Sequence, residues 1–204
     1  MQMINIVRKY RTKMEQRRSI RNYSSNPISK DIITNLLMTA GTAPSGANKQ
    51  PWIFCAVSNP EIKNQIRQEA EKVEYIAYTE KMSVEWKKDL EHLKTNREKE
   101  FLVNAPWIIV VFKKTYDIID GEKKKNYYVN ESVGLATGIL VSAIHNAGLA
   151  SLTYTPSPMG FLSKILNRPE NEKPYMVIPI GYPSENAFLP KIEKKKENEL
   201  IVFY

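Results

Sequence analysis

The stretch "AGTAPSGANKQPW" (residues 40–52) stands between an apolar helical pattern and the apolar run "IFCAV". It is rich in glycine, proline, serine and asparagine, the residue types that turns favour. Such a stretch can simply connect a helix to a strand. It can also be shaped so that its backbone N–H groups contact a ligand, and these residues alone leave both interpretations open.

Apolar residues before this stretch recur with the period of a helix. They predict a first helix over 3–16 and a second helix that begins at Ser29, a favoured N-cap residue, and ends at Gly41. Directly after the stretch, "WIFCAV" predicts a buried strand. A polar helix is then expected from Asn59-Pro60, because proline suits the first helical position.

The rest of the chain continues the alternation of helices and strands. The highly charged residues 61–103 predict two helices with an irregular join. The elements expected after them are a buried strand at 107–112, a polar loop at 113–125, a helix at 126–147 ended by Gly148, a strand at 150–155, a short helix at 159–166, and two strands in "YMVIPIGYP" and "ELIVFY". The apolar ends of the chain need burial, which a second subunit would supply.

Composition narrows the class of protein. The 204 residues suffice for one domain (1–204) with a sizeable core. No apolar run approaches the roughly 20 residues that cross a bilayer, and no signal peptide is recognisable. Cys55 is the only cysteine, so no intrachain disulfide is possible, and Cys55, His92 and His145 are too few soft ligands for a metal site. We expect a cytoplasmic protein without metal.

The net charge of +8 raises the question of a nucleic-acid partner. However, acidic and basic residues are interleaved along the chain. The lysine runs at 123–125 and 194–196 lack the interleaved aromatic residues on which bases stack. We therefore expect no nucleic-acid partner.

The segment "RRSIR" (17–21) is a candidate phosphate site, because arginine binds phosphate with two hydrogen bonds and a serine hydroxyl adds a third. A solvated basic patch is the alternative. Neither a Rossmann glycine motif nor a P-loop is present, so a phosphate would depend on such a site. In "TYTP" (153–156), two threonine hydroxyls lie two positions apart, on one face of a strand, although threonine is common in strands.

Together these segments resemble the nitroreductase superfamily of FMN-dependent flavoproteins, in order from about residue 15 to the C-terminus. Within it, the likeness is to the iodotyrosine deiodinase subfamily. The segments that carry it are "RRSIRNYSSNPI", "AGTAPSGANKQPW", "NAPWIIVVF", "NESVGLATGIL", "NAGLASLTYTP", "PIGYP" and an insertion with Glu74, Tyr78, Trp86, Asp89, Leu90, Leu93, Thr95, Asn96, Lys99 and Glu100. The resemblance implies an α+β fold of three α-β-α layers around a mixed, mainly antiparallel sheet, as an intertwined homodimer.

The resemblance also implies FMN at the subunit interface. The residues implied to bind it are Arg17, Arg18, Ser19, Arg21, Ser45, Gly46, Thr153, Tyr154, Thr155 and Lys194. Lys194 stands where the family has an arginine, so it would supply a point charge instead of a guanidinium fork. Thr153 to Thr155 would lie by the flavin ring, with a hydroxyl or amide near N5. A C-terminal arm (about 184–204) would embrace the partner.

The family's amino-acid clamp maps onto Glu74, Tyr78 and Lys99, within a lid at about 70–100. Glu74 and Tyr78 are four residues apart and share a helix face. A carboxylate, a phenol and an ammonium suit a zwitterion: Glu74 takes the α-ammonium, while Lys99 and Tyr78 take the α-carboxylate. The N–H of Ala47 would receive the phenolate oxygen. The alternative is an ordinary charged helix.

The implied activity is FMN-dependent removal of halogen from halotyrosines, iodotyrosine to tyrosine plus iodide. Thr153, Thr155 and Ala47 would be its catalytic residues, and NAD(P)H or a reductase its electron source. A generic NAD(P)H-dependent nitroreductase or quinone reductase is the alternative, and a flavin- or amino-acid-binding protein without turnover is a third.

"NKQ" at 48–50 departs from the vertebrate pattern at the pocket rim. The vertebrate membrane anchor is not seen, which predicts a soluble form.

Overall fold

Helices cover both faces of a short antiparallel sheet. The structure is a computed structural model and describes residues 2–204. In chain order the elements are α1 (Gln2–Glu15), α2 (Lys30–Ala40), β1 (Trp52–Val57), α3 (Pro60–Ile76), α4 (Val84–Glu91), α5 (Phe101–Asn104), β2 (Trp107–Lys114), β3 (Tyr116–Ile119), β4 (Glu122–Lys125), α6 (Val129–Asn146), β5 (Ala150–Ser151), α7 (Gly160–Ile165) and β6 (Glu172–Gly181). Short 3-10 turns form at Gly46–Asn48 and Glu197–Glu199, and a π-helical turn forms at Ala77–Lys81.

The main sheet has four strands in the order β1-β2-β6-β5, and every neighbouring pair is antiparallel. One parallel bridge joins Ser19 to Ser151 at the β5 edge. The expectation of a mixed, mainly antiparallel sheet is therefore confirmed.

The strand β2 is buried on both faces, which explains its uninterrupted apolar sequence. Successive strand side chains point to opposite faces of a sheet. Accordingly, Ile108, Val110 and Phe112 pack into one half of the core, whereas Ile109 and Val111 pack into the other. The first half is closed by α3, α5 and α7, and the second by α2 and α6. These are the three α-β-α layers that the sequence predicts.

The helix starts follow from side-chain caps. The Ser29 hydroxyl accepts a hydrogen bond from the N–H of Ile32, and the Asn59 side chain accepts from the first turn of α3. Both caps satisfy N–H groups that have no partner within the helix. After the C-terminal end of α6, Gly148 adopts φ +78°, the left-handed conformation that commonly ends helices. These predicted boundaries are confirmed.

The predicted polar loop at 113–125 is wrong, because the chain forms the β3–β4 hairpin there. Asp120 and Gly121 both have positive φ, 53° and 79°, and Asp-Gly is a favoured two-residue hairpin turn. Residues 61–103 contain three helices instead of two. The strand expected at 150–155 is shorter, since β5 ends at Ser151 and only Tyr154 meets β6 beyond it, through an isolated bridge with Val177.

The predicted strand "ELIVFY" is also wrong. Residues 201–204 form neither helix nor strand in this chain, and their side chains are exposed. A strand requires a neighbouring strand to satisfy its backbone groups, and this chain places none beside them. The apolar residues Ile4, Val7 and Tyr10 of α1 are exposed as well.

None of the helices between residues 2 and 204 is both long and apolar enough to cross a membrane. Over the same residues, no three side chains of His, Cys, Asp or Glu come together in a way that could hold a metal ion.

A buried lysine ties α3 to the end of α5. The Lys63 ammonium donates to the carbonyls of Val103 and Ala105, at 3.0 and 2.7 Å. The side chain is buried, and this burial lowers the pKa of Lys63 below its ordinary value. The contact orients the segment that leads into β2.

Replacing Lys63 with Met should lower the free energy of unfolding by about 1–3 kcal/mol, because two buried carbonyls lose their donor. Urea denaturation measures this, and Lys72→Met, at an exposed surface pair, is the matched control. The unfolded chain binds more protons than the folded chain between the lowered pKa and 10.5. Wild-type stability should therefore rise with pH in that window relative to the variant, and a parallel pH dependence would contradict the assignment.

Candidate functional site

A buried ion pair joins the last turn of α3 to the loop before α5. The Lys99 ammonium lies 3.2 Å from Oε2 of Glu74, and their side chains are only 4% and 12% exposed. The Tyr154 hydroxyl donates to Oε1 of the same carboxylate at 2.9 Å. Each Glu74 oxygen therefore has a partner, as a buried carboxylate requires.

The loop that carries Lys99 is held to α3 by a second carboxylate. The Lys99 N–H donates to Oε1 of Glu71 at 2.8 Å, and Arg67 pairs with the same oxygen at 2.7 Å. The Lys99 ammonium also donates to the Asn96 carbonyl. Because Glu71 and Glu74 are three residues apart, one helix face serves both the backbone and the side chain of Lys99.

Tyr78 completes the predicted clamp one turn after Glu74. The Lys99 ammonium lies 5.5 Å from the centroid of the Tyr78 ring. Burial raises the pKa of Tyr78, and a hydrogen bond with Thr95 opposes that rise. Burial also lowers the pKa of Lys99, although the Glu74 carboxylate partly offsets the effect. The structure thus brings Glu74, Tyr78 and Lys99 together.

Arg21 connects this clamp to the predicted phosphate segment. It lines a cleft of about 300 Å³ with Thr95, Asn96, Phe101 and Phe188. Burial lowers the pKa of Arg21, whereas nearby Tyr23 and Tyr78 raise it. The Arg21 charge in turn helps lower the pKa of Lys99. The lining of the cleft carries both signs of charge, because Lys94, Glu98 and Glu100 border it as well.

Arg17 and Arg18 lie in a pocket of about 220 Å³ between the end of α6 and the C-terminal arm, bordered by His145 and Gly148. Arg18 donates to the Pro190 carbonyl. Among residues 2–204, no carboxylate lies within 4.0 Å of the guanidinium of Arg17, Arg18 or Arg21. Guanidinium groups without a carboxylate partner suit a phosphate.

Two of the other residues predicted to bind FMN lie beside this pocket. Ser19 forms the bridge with Ser151 at the sheet edge. The Lys194 ammonium donates to the Glu15 carbonyl at 3.4 Å, at the end of α1 and close to Arg17 in sequence. Ser151 and Gln16 border the pocket, so Ser19 and Lys194 each contact a residue that lines it or neighbours its lining.

The loop that follows α2 has an unusual backbone. Ala47, Asn48 and Gln50 all have positive φ, between 46° and 52°, which is uncommon for residues with a side chain. Backbone strain of this kind is concentrated at functional sites. The Ser45 hydroxyl accepts a hydrogen bond from the Gln50 N–H at 2.9 Å, so it closes the loop. The sequence predicts that Ser45 faces FMN; the structure shows a side chain engaged within its own loop.

Gly46 allows this loop to approach the start of α6. A Cβ added at Gly46 would lie 2.7 Å from Cδ2 of Tyr128, which is closer than real contacts allow. The Gly46 N–H also donates to the Ser132 hydroxyl at 3.4 Å. Ala47 belongs to the first turn of a 3-10 helix, where N–H groups have no partner within the helix.

Thr153 and Thr155 are exposed, whereas Tyr154 between them points inwards to Glu74. The sequence groups all three with the flavin, but the Tyr154 side chain belongs to the clamp. Sequence reasoning also missed Glu71 and Arg67. The three-residue spacing of Glu71 and Glu74 is the signal that could have indicated Glu71.

One chain does not gather all the predicted residues. The Gly46 loop contacts Ser132 near the start of α6, and the arginine pocket borders His145 near its end. At about 1.5 Å per helical residue, these positions are about 20 Å apart along the helix axis. The clamp meanwhile lies on the α3 and α5 side of the sheet, across from α6.

The comparisons with known proteins agree with this architecture. The nitroreductase family profile matches residues 14–182. The chain is 51% identical to an iodotyrosine deiodinase of Haliscomenobacter hydrossis, over 100% of this chain and 92% of that protein. It is 43% identical to one of Danio rerio, over 98% of this chain and 69% of that protein. A crystal structure of oxidized iodotyrosine deiodinase bound to FMN and 3-iodo-L-tyrosine matches with a TM-score of 0.81 and 30% identity, covering 96% and 98% of the two chains.

Replacing Gly46 with Ala should displace the Tyr128 ring and lower the free energy of unfolding by about 1–3 kcal/mol, the usual cost of overpacking. Thermal denaturation measures the change. Gly138→Ala is the matched control, because a Cβ there meets nothing within 4 Å. Adding Tyr128→Ala should restore part of the loss, since Tyr128 is largely exposed. A Gly46→Ala protein as stable as the control would contradict the close-packing assignment.

Proposed function

Because the chain belongs to the nitroreductase family, we propose that it is an FMN-dependent oxidoreductase that removes halogen from halotyrosines, converting iodotyrosine to tyrosine plus iodide. The observation that carries this proposal is the buried ion pair of Glu74 and Lys99 beside Tyr78. The identity to iodotyrosine deiodinases over the full chain supports it.

The clamp suits a zwitterion because it contains one charge of each sign. An α-ammonium would take the place of Lys99 at Glu74, while Lys99 and Tyr78 would turn to the α-carboxylate. Both clamp charges would remain paired through this exchange. Removing a partner from a buried charge costs about 3–5 kcal/mol, so a ligand that supplies only one charge is disfavoured.

The substrates of the two enzymatic alternatives differ in the charges that they offer the clamp. An uncharged nitroaromatic or quinone offers no partner to either Glu74 or Lys99, so it gains nothing from opening the pair. The buried ion pair therefore favours a halotyrosine dehalogenase over a generic nitroreductase.

FMN would be held through its phosphate by Arg17, Arg18 and Ser19, with Arg21 at the ring edge. The fit rests on guanidinium groups that have no carboxylate partner within residues 2–204. FMN supplies the reducing electrons when bound. Lys194, beside the carbonyl end of α1, would add positive charge to the phosphate end.

The Gly46 loop and the segment 153–155 would contact the reacting ring of the substrate and the flavin. We assign the N–H of Ala47 to the phenolate oxygen, because the turn at Gly46 leaves N–H groups without partners inside the helix. We assign the exposed hydroxyls of Thr153 and Thr155 to the flavin ring. Ser45 and Gly46 would contact FMN through the backbone, since the Ser45 hydroxyl is engaged with Gln50.

We propose a homodimer, and the separation of the Gly46 loop from the arginine pocket supports it. The Gly46 loop lies at the start of α6, apart from the arginine pocket at its end, whereas Arg21 links that pocket's segment to the clamp. A second copy would bring its own Gly46 loop to complete each site. Exposed apolar residues of α1 and of the C-terminal arm (184–204) provide the surface for it. Light scattering should give twice the mass of the chain.

The lid (70–100) would open and close over the substrate within a single domain of 1–204. Its outer residues Val84 and Trp86 are exposed, whereas its base is held by the clamp bonds and by the buried Ala70. We further propose NAD(P)H, directly or through a reductase, as electron source, which NAD(P)H consumption would measure. A cytoplasmic location agrees with a lone free cysteine, Cys55.

Replacing Arg17 with Ala should weaken FMN binding by about tenfold or more, because a charge-assisted phosphate contact contributes about 1.5–3 kcal/mol. Fluorescence of released FMN measures the dissociation constant. Arg11→Ala is the matched control, as Arg11 pairs with Glu15 on the exposed face of α1. Equal affinity of the two variants for FMN would show that Arg17 does not bind the cofactor.

Turnover tests the proposed function directly. Anaerobically reduced, FMN-loaded protein mixed with iodotyrosine should be reoxidised and release tyrosine and iodide in equal amounts. Absorbance of the flavin and chromatography of the products measure this. Reoxidation by nitroaromatics with iodotyrosine left unchanged would establish the generic nitroreductase instead.

The variant Glu74→Gln tests the clamp within the same assay. It should weaken iodotyrosine binding by about tenfold or more through loss of the ion pair with the α-ammonium, while FMN binding stays unchanged. Loss of both affinities to the same extent would show that Glu74 supports the fold and not the substrate.

A further inference from the structure

Tyr154 is anchored in the sheet and contacts the clamp from there. Its N–H donates to the Val177 carbonyl at 2.9 Å, and its carbonyl accepts from the Val177 N–H at 2.8 Å. The ring meets Phe101 edge to face, with centroids 5.3 Å apart and planes at 84°. Phe101 is itself buried in the core. The backbone and the ring of Tyr154 are thus both held in place before any substrate binds.

The hydroxyl of this fixed ring reaches Glu74. It donates to Oε1 at 2.9 Å, while the other carboxylate oxygen pairs with Lys99. Lys99 also lies 5.7 Å from the centroid of the Tyr154 ring. Glu74 and Lys99 belong to the lid, whereas Tyr154 does not, so this hydrogen bond joins the lid to the rigid sheet.

We propose that Tyr154 is a positioning and specificity-determining residue, whose hydroxyl holds the Glu74 carboxylate in place to receive the α-ammonium group of the substrate. The inference rests on the proposed function, because it names how that same site selects amino acids. It differs from the expectation that Tyr154 binds the cofactor.

The reason lies in what happens to Glu74 when Lys99 turns to the substrate's carboxylate. Glu74 then loses one of its two partners, and the hydrogen bond from Tyr154 is the one that continues to orient it. A carboxylate offers about four acceptor positions, so it can take the ammonium while keeping that bond. Burial and the Glu74 charge raise the pKa of Tyr154, so its hydroxyl stays protonated and remains a donor.

The arrangement predicts which ligands depend on the Tyr154 hydroxyl for binding. Without the hydroxyl, Glu74 is free to change rotamer, so its contact with an ammonium weakens. Ligands that lack an ammonium do not use that contact. Tyr154 therefore matters for amino acids and not for the corresponding acids.

The variant Tyr154→Phe tests this, because it retains the ring that packs on Phe101. With FMN-loaded protein, the dissociation constant of 3-iodotyrosine should rise about tenfold, the loss of one hydrogen bond to a charged group. That of its desamino analogue, 3-(4-hydroxy-3-iodophenyl)propanoate, should change less than about twofold. Quenching of flavin fluorescence measures both. Tyr75→Phe, at the exposed residue next to Glu74, is the matched control and should bind both ligands as the wild type does.

A second variant keeps the test independent of how well Tyr154→Phe folds. Glu74→Asp shortens the carboxylate side chain and moves it away from the Tyr154 hydroxyl. It should show the same selective loss of 3-iodotyrosine, and adding Tyr154→Phe should weaken binding little further, because the two changes remove one interaction. Fully additive losses would overturn the proposal.

Three other results would also overturn it. If Tyr154→Phe binds 3-iodotyrosine as tightly as the wild type does, the Tyr154 hydroxyl does not position Glu74. If the affinity for both ligands falls equally, Tyr154 contributes only by packing. If Tyr154→Phe binds FMN more weakly than the wild type does, Tyr154 is a cofactor-binding residue, as the resemblance implies. Wild-type protein that binds FMN but no 3-iodotyrosine would instead overturn the proposed function, so the two failures are distinguishable.

Discussion

The ion pair between Glu74 and Lys99 is the interaction on which the site depends. It lies where water is largely excluded, and two charges persist there only because each neutralises the other. Glu71, on the same helix face as Glu74, holds the backbone of Lys99 in place by accepting its N–H. A ligand must therefore supply both charges that it displaces, and the free amino acid zwitterion does so.

The strand β2 positions the elements that bring Glu74 and Lys99 together. Because β2 is buried on both faces, it holds α3 and α5 on one side of the sheet and α2 and α6 on the other. The helices α3 and α5 place Glu74 and Lys99 face to face, while Tyr154 reaches them from its bridge with β6. The Gly46 loop lies elsewhere on the chain, and the homodimer proposed above would bring it to the clamp and the arginines.

The predictable features of the sequence were local ones. Helix caps at Ser29 and Asn59 and the apolar run of β2 are determined by neighbouring residues, and the structure confirms them. The Asp120-Gly121 turn is equally local, because Asp-Gly alone indicates a two-residue hairpin turn. The partner of Tyr154 could not be read from the pattern, because residues 80 positions apart meet only through the fold. The conformation of "ELIVFY" lay beyond prediction for another reason, since a strand there needs a neighbour that this chain does not offer.

Binding of single-charge analogues tests the central claim most directly. In calorimetry with FMN-loaded protein, 3-iodotyrosine amide lacks the carboxylate and the desamino analogue lacks the ammonium. If the substrate replaces the buried ion pair charge for charge, both should bind at least about tenfold more weakly than 3-iodotyrosine, because each leaves one clamp charge without a partner. Equal affinity for all three ligands would contradict the account.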